Sequence, residues 1–194
     1  MSVSNGRSLP ASGEVKKLGD WELVMELPSE LIGVSAFLGR RRGPRSFGRN
    51  GVVLVVPSGH VLGAPLPAAL RRATAVSHPA VLSIQDMASA EGATFVVYDY
   101  VDGAAVAEIA ASGPVPAPIT VAIFQTAARG LHAIHGSAPD GDPVLHGALG
   151  PGSIVVGADG QTRVTGHGSG LLAGGDAVRG RTSAAPEVRA GAEQ

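Results

Sequence analysis

His-Gly-Ala-Leu-Gly-Pro-Gly-Ser-Ile-Val-Val, residues 146–156, and Gly-His-Gly, residues 166–168, are the two segments that decide the fold of this chain. Both segments are rich in glycine. The first ends in the short apolar run 153–156, and the second follows the short run 162–165. A turn signal, Ala-Asp-Gly at 158–160, separates the two runs. The pattern predicts two short strands that are joined by a turn and flanked by glycine-containing loops.

Composition limits the kind of protein this can be. The chain has 194 residues, of which 44% are hydrophobic and 16% are charged, and this is enough apolar side chain to fill a core. The formal net charge of −1 gives no reason to expect a nucleic-acid partner. The absence of cysteine excludes disulfides and thiolate zinc sites. No run approaches the roughly 20 apolar residues of a membrane span, and residues 1–15 lack a secretory signal. We therefore expect a cytoplasmic protein.

Apolar periodicity predicts an antiparallel meander before residue 102. Alternating or β-rich runs predict five strands, at 21–27, 33–39, 51–56, 81–87 and 94–101. Between the third and fourth strands, apolar residues at helical spacing predict one amphipathic helix at 65–76. A turn at Asp102-Gly103 marks the predicted lobe boundary.

The second half of the chain is predicted to be mainly helical. A short helix is expected at 104–111 and a longer one at 119–135. The longer helix carries a small, apolar stripe formed by Ala122, Ile123, Thr126, Ala127, Leu131 and Ile134. The predicted organisation is a flexible tail at 1–15, an N-lobe at 16–102 and a partial C-lobe at 103–194 that is mobile after about residue 170.

Four further motifs follow the order of a known family. They are Ser-His-Pro-Ala-Val at 77–81, Val-Val-Tyr-Asp-Tyr-Val-Asp-Gly at 96–103, Gly-Leu-His-Ala-Ile-His at 130–135 and Ala-Pro-Glu at 185–187. Together with the two opening segments, they resemble a eukaryotic-type Ser/Thr protein kinase of bacterial type, from about Gly19 to Gly191. The resemblance implies an α+β, protein-kinase-like fold. We expect a five-stranded antiparallel N-lobe with one helix and a truncated, mainly helical C-lobe.

The resemblance also implies that the groups used in phosphoryl transfer are missing. Five positions of the family's machinery fall on uncharged residues. The strand-3 lysine, the αC glutamate, the catalytic aspartate, the metal-binding asparagine and the D-F-G aspartate fall in that order on Val55, Ala69, Ala148, Ser153 and Gly166. Removing one preorganised electrostatic partner typically raises a barrier by about 3–4 kcal/mol. We therefore predict a catalytically inactive pseudokinase.

Nucleotide binding is also predicted to be poor. The family's glycine loop aligns with Leu-Pro-Ser-Glu-Leu-Ile-Gly at 27–33, in which only the last glycine remains. Pro28 has no backbone N–H to offer a phosphate. Glu30 would place a carboxylate beside phosphates that no lysine balances. We predict no cofactor. We also predict no metal site, because His132 and His135 lack a third ligand at suitable spacing.

The sequence offers three candidate surfaces for a partner. The densest charge cluster is Arg40, Arg41, Arg42 and Arg45, which is either a docking patch or a solvated hairpin tip. Charge runs on loops are commonly solvated, which favours the second interpretation. Arg71 and Arg72 lie on the polar face of the predicted αC-like helix. The third candidate is the apolar face of the 119–135 helix, which we expect to be exposed if the chain is naturally short.

Three functions remain open at this point. The first is a pseudokinase that acts as a scaffold or as an allosteric partner of an active kinase or another signalling protein. The second is a structural or assembly subunit, such as a homo-oligomer, built on a shortened kinase fold. The third is a residual nucleotide-binding protein or an atypical transferase with relocated catalytic groups. The lost charges favour the first.

Overall fold

The computed structural model describes residues 16–43, 48–57, 68–137 and 143–173. The predicted N-terminal tail, Arg45, the start of the 65–76 helix and the Ala-Pro-Glu motif at 185–187 lie outside these residues. Most of the segment predicted to be mobile after about residue 170 also lies outside them.

The N-lobe is an antiparallel sheet with one helix on it. The strands are β1 (Lys16–Leu18), β2 (Trp21–Leu27), β3 (Ser35–Arg41), β4 (Asn50–Pro57), β5 (Ile84–Ala90) and β6 (Ala93–Asp99). Their order in the sheet is β1-β2-β3-β4-β6-β5. Helix α1 (Ala68–Ala73) follows β4. The sequence predicts five strands and misses β1, because three residues with only Leu18 buried show no alternation.

The C-lobe combines a small sheet with helices. Its elements are β7 (Gly103–Ala105), α2 (Val106–Ser112), α3 (Ala117–His135), a 3-10 turn (Pro151–Ser153), β8 (Ile154–Gly157), β9 (Thr162–Val164) and α4 (Gly170–Ala173). Strand β8 pairs with both β7 and β9. The predicted helix at 104–111 therefore begins two residues later, because Ala104 and Ala105 are paired with β8. No helix in the described ranges is long and apolar enough to cross a membrane.

Helix α3 buries one side and exposes another. Its buried residues are Ile123, Ala127, Gly130 and Ile134. Gly130 allows a close approach, because a Cβ at this position would lie 2.7 Å from the carbonyl oxygen of Ala80. The predicted exposure of the apolar stripe is therefore wrong for Ile123, Ala127 and Ile134, which belong to the same cluster as Val164 of β9. The exposed apolar residues of α3 are instead Ile119, Val121 and Phe124.

Three apolar clusters form the core. One lies on one face of the N-lobe sheet and contains Trp21, Phe95 and Val55. A second lies in the C-lobe around α3 and β9. The third, which we call the interlobe cluster, joins the other face of the sheet to α1 and α4 and consists of Val34, Ala36, Leu54, Val56, Leu70, Val96, Tyr98 and Leu172.

Candidate functional site

The loop at 146–153 is held by a buried histidine. His146 is 2% exposed. Its Nε2 donates a hydrogen bond to the carbonyl of Thr165 over 2.8 Å, which makes Nδ1 the acceptor that faces the backbone N–H of Ala148 at 3.4 Å. Both ring nitrogens therefore serve to attach this loop to the segment that follows β9.

Ala148 and Ser153 occupy two of the positions where the family carries catalytic groups. Ala148 is buried, and its methyl group has no atom that could accept a proton from a substrate hydroxyl. The Oγ of Ser153 accepts the N–H of Gly150 at 3.1 Å and donates to the carbonyl of Ala148 at 3.3 Å. The hydroxyl of Ser153 thus closes the loop on itself.

The Gly-His-Gly turn at 166–168 packs beneath α1. Gly166 and Gly168 both have φ of +78°, a conformation that strains most L-residues. His167 between them is fully buried, and its Nε2 donates to the carbonyl of Ala73 at 3.1 Å. Burial lowers the pKa of His167, and the hydrogen bond to Ala73 offsets part of that effect. The neutral ring attaches this turn to the end of α1.

Tyr98 connects β6 to the same turn. Its hydroxyl donates to the carbonyl of His167 over 2.8 Å, and the two rings meet edge to face with centroids 5.6 Å apart. Burial raises the pKa of Tyr98 well above its ordinary value, so the phenol keeps its proton. This contact joins the N-lobe sheet to the C-lobe at the position of the D-F-G motif.

Leu172 is a buried residue that connects the C-lobe to the N-lobe. It belongs to the short helix α4 and is 1% exposed. Its side chain packs in the interlobe cluster with residues of β3, β4, β6 and α1. Sequence reasoning missed this residue, although the pair Leu171-Leu172 in an otherwise Gly-rich segment was a signal. An aliphatic side chain of the C-lobe is therefore buried in the same cluster as residues of the N-lobe sheet and α1.

The side chain of β4 that faces α1 is not Val55, the residue at which the sequence places the strand-3 lysine. In the family, the strand-3 lysine pairs with a glutamate of αC and must face that helix. Val55 packs in the cluster with Trp21 and Phe95, on the opposite face of the sheet. The β4 side chains that reach the interlobe cluster with Leu70 of α1 are Leu54 and Val56. Val56 is thus the better match for the lysine position, and it too is aliphatic.

The α1 side of this pair is described only in part. Ala69 lies in α1, but its side chain is outside the described part of the chain. Its neighbour Leu70 is fully buried in the interlobe cluster. At the described lysine position, Val56 therefore lies in the same apolar cluster as Leu70, the neighbour of Ala69.

Glu30 bridges the lobes at the opening of the cleft. It lies in the loop between β2 and β3, and its Oε1 accepts the backbone N–H of Gly152 at 3.0 Å. Gly152 leaves room for this contact, because a Cβ there would lie 2.5 Å from the same oxygen. A carboxylate of the chain thus bonds an N–H of the 3-10 turn, in the region where the family holds phosphates.

The predicted partner-binding arginines do not form one surface. Arg40, Arg41 and Arg42 lie at the end of β3, where Arg41 pairs with Asp20 at 3.8 Å and Arg42 pairs with Glu22. Arg71 and Arg72 lie on α1, where Arg71 is exposed and Arg72 is half-buried. Within the described ranges, no three His, Asp or Glu side chains are grouped so that they could hold a metal ion.

Comparison with known proteins identifies the fold. No protein-family model and no curated protein matches the sequence. A double mutant of the kinase domain of Mycobacterium tuberculosis PknI superposes with a TM-score of 0.67 at 21% identity, over 95% of this chain and 69% of that chain. A single mutant of that domain gives a TM-score of 0.66 at 20% identity, over 95% of this chain and 71% of that chain.

A further structure of the PknI kinase domain gives a TM-score of 0.65 at 19% identity. At these identities, the similarity establishes the fold alone. The chain therefore has a protein-kinase-like fold, which confirms the fold class expected from the motifs.

Proposed function

We propose that this protein is a pseudokinase that binds another protein, as a scaffold or allosteric regulator in a cytoplasmic signalling or assembly pathway. One observation carries the proposal: the lobes meet in an apolar cluster that contains Leu172 and Tyr98, and the buried His167 bonds α1 beside it. In a kinase, the nucleotide and its metal ions occupy the cleft between the lobes.

The charges support the same conclusion. Phosphoryl transfer needs cations and metal ligands that neutralise the phosphates. The described residues at three of those positions are Val56, Ser153 and Gly166, and none of them carries charge. Losing a single preorganised group typically costs about 3–4 kcal/mol of transition-state stabilisation. A chain that lacks several such groups is expected to act through its surface.

Measurements with ATP test whether the protein binds nucleotide and whether it transfers phosphate. We expect the melting temperature of the full chain to be unchanged by ATP with Mg²⁺, and we expect no phosphoryl transfer to a protein substrate. The PknI kinase domain, assayed alongside, serves as the control for both measurements. A Mg²⁺-dependent rise of several degrees would show that nucleotide enters the cleft. Phosphoryl transfer that is lost on Glu30→Ala or Asp159→Ala would support an atypical transferase.

A structural or assembly subunit is a second candidate. The observation that favours it is the apolar group Ile119, Val121 and Phe124 on α3, whose side chains are 52–54% exposed. Exposed apolar groups of this kind commonly mark an association surface. The solution mass distinguishes the two functions. A concentration-independent homo-oligomer that Phe124→Ser dissociates favours the subunit, whereas a monomer favours the regulator.

A further inference from the structure

A second concave site lies outside the interlobe cluster. It is a groove of about 510 Å³ formed by the start of β4, the segment before β5, the residues after β6 and Arg163 of β9. We call it the sheet-end groove, and it shares no lining residue with the interlobe cluster. Its volume falls within the roughly 300–1,000 Å³ of ligand sites.

Hydrogen-bond donors dominate the lining of this groove. The guanidinium of Arg49 is 65% exposed. The Nδ1 of His78 accepts the N–H of Ala80 at 3.1 Å, so Nε2 carries the proton of the neutral ring and remains a donor. Tyr100 is 40% exposed and adds a phenol hydroxyl. Three different side chains can therefore donate to a bound molecule.

The carboxylate in the lining is already engaged. Asp99 accepts hydrogen bonds from Arg49 at 3.0 Å and from Gln85 at 2.7 Å. Arg163 is held by two hydrogen bonds to Asp159, at 3.2 and 2.7 Å. A ligand that matches this groove must supply acceptors, and carboxylates are acceptors that the arginine fork binds in bidentate geometry.

The groove continues into the arginines at the end of β3. Arg40 lies opposite Asn50 in the β3–β4 ladder, and the N–H of Arg41 donates to the carbonyl of Arg49 at 2.9 Å. The arginine side chains in these ion pairs are 41–65% exposed, and surface pairs contribute only about 0–1 kcal/mol each. External carboxylates can therefore exchange with the internal ones at low cost.

We infer that the sheet-end groove binds an extended, acidic segment of a partner protein, which gives the protein-binding function proposed above a location and a ligand chemistry. The lining is largely polar, whereas small-molecule sites are lined mainly by apolar side chains. A nucleic acid would also supply acceptors. The net charge of −1 does not favour a polyanion that needs many phosphate contacts.

A degenerate peptide pool tests this inference on the full chain. Immobilised protein is exposed to decapeptides with Asp and Glu at the central positions, and to a matched pool with Asn and Gln there. We expect retention of the acidic pool, with weaker retention at high salt. Arg49→Ala is expected to weaken the binding of a retained acidic peptide by about fivefold or more. Arg129→Ala removes an exposed arginine of α3 that does not line the groove and serves as the matched control, with unchanged binding expected.

Each remaining outcome overturns the inference. Equal retention of the two pools, or equal loss on Arg49→Ala and Arg129→Ala, removes the groove as the acidic-peptide site. A single-stranded oligonucleotide that displaces the peptide through the same arginine assigns the groove to nucleic acid instead. None of these results bears on the nucleotide experiment, so the proposed loss of activity stands or falls separately. Circular dichroism confirms that each variant is folded before it is scored.

Discussion

The interlobe cluster and the sheet-end groove meet at neighbouring residues of β6, and they have opposite character. Tyr98 is buried in the cluster, while Asp99 lines the groove and bonds Arg49 and Gln85. Successive residues of a strand point to opposite faces of the sheet, so one strand serves both regions. The cluster excludes water and contributes stability, whereas the groove keeps polar groups accessible. The difference separates a packed apolar core between the lobes from a polar groove at the surface.

Removing Leu172 should have the largest effect. Leu172→Ala deletes a fully buried side chain from the interlobe cluster. We expect the free energy of unfolding to fall by about 3 kcal/mol, which urea denaturation measures. Leu145→Ala is the matched control, because Leu145 is 37% exposed and its loss should cost less than about 1 kcal/mol. An equal decrease in the free energy of unfolding for the two variants would contradict the burial of Leu172 in the interlobe cluster.

Tyr98→Phe should have the next largest effect on stability. It removes the hydroxyl that donates to the buried carbonyl of His167. We expect a loss of about 1–2 kcal/mol, because a buried acceptor is left without its donor. Tyr100→Phe changes an exposed phenol and should alter the free energy of unfolding by less than about 0.5 kcal/mol. A Tyr98→Phe protein as stable as the wild type would contradict the connection between β6 and the 166–168 turn.

His167 should make stability depend on pH. Burial holds its folded-state pKa below the ordinary histidine value of about 6.5, so below that pH the unfolded chain binds more protons than the folded one. The stabilising contribution of the neutral ring is complete above about pH 6.5. It is lost as the pH falls through the lowered folded-state pKa. We expect the urea concentration at the unfolding midpoint to decrease as the pH is lowered through that window.

His167→Phe should flatten this part of the pH profile, because the aromatic volume remains and the titrating group is gone. The control is His132→Gln, which replaces an exposed histidine of α3 and should keep the wild-type profile. If the His167→Phe profile parallels that of the wild type, another group is responsible for the pH dependence.

Arg49→Ala should have the smallest effect on stability. Its ion pair with Asp99 involves a side chain that is 65% exposed, and such pairs contribute about 0–1 kcal/mol. We expect thermal unfolding close to that of the wild type, although binding of the acidic peptide is weakened. A loss of several kcal/mol would assign Arg49 to the core of the fold and would remove the contrast between cluster and groove.

Local pattern was sufficient for most elements and insufficient for those that depend on distant partners. Alternation and apolar runs predicted β2, β3, β4, β6 and α3, because each carries its periodicity within its own residues. Strands β1 and β7 have three residues each and exist only because β2 and β8 pair with them. Neither β1 nor β7 contains an apolar period that can be recognised in the sequence.

The candidate site shows the same division. The uncharged residues Ala148, Ser153 and Gly166 at the matched positions can be read from the sequence itself. The assignment of the lysine position to Val55 was displaced by one residue, and a shift of one residue moves a side chain to the other face of a sheet. Only the packing of Val56 with Leu70, and of Val55 with Trp21, reveals that error.

The sequence by itself determined the kinase-like order of motifs, the absence of cysteine and the exchange of charged groups for small or apolar ones, since these follow from the identity of residues. The tertiary structure alone decided which side chains meet between the two lobes. The hydrogen bond between Glu30 and Gly152 joins residues that are 122 positions apart, and Leu172 reaches strands from the other end of the chain. Contacts across such separations depend on how the two lobes pack together, which no local pattern of residues specifies.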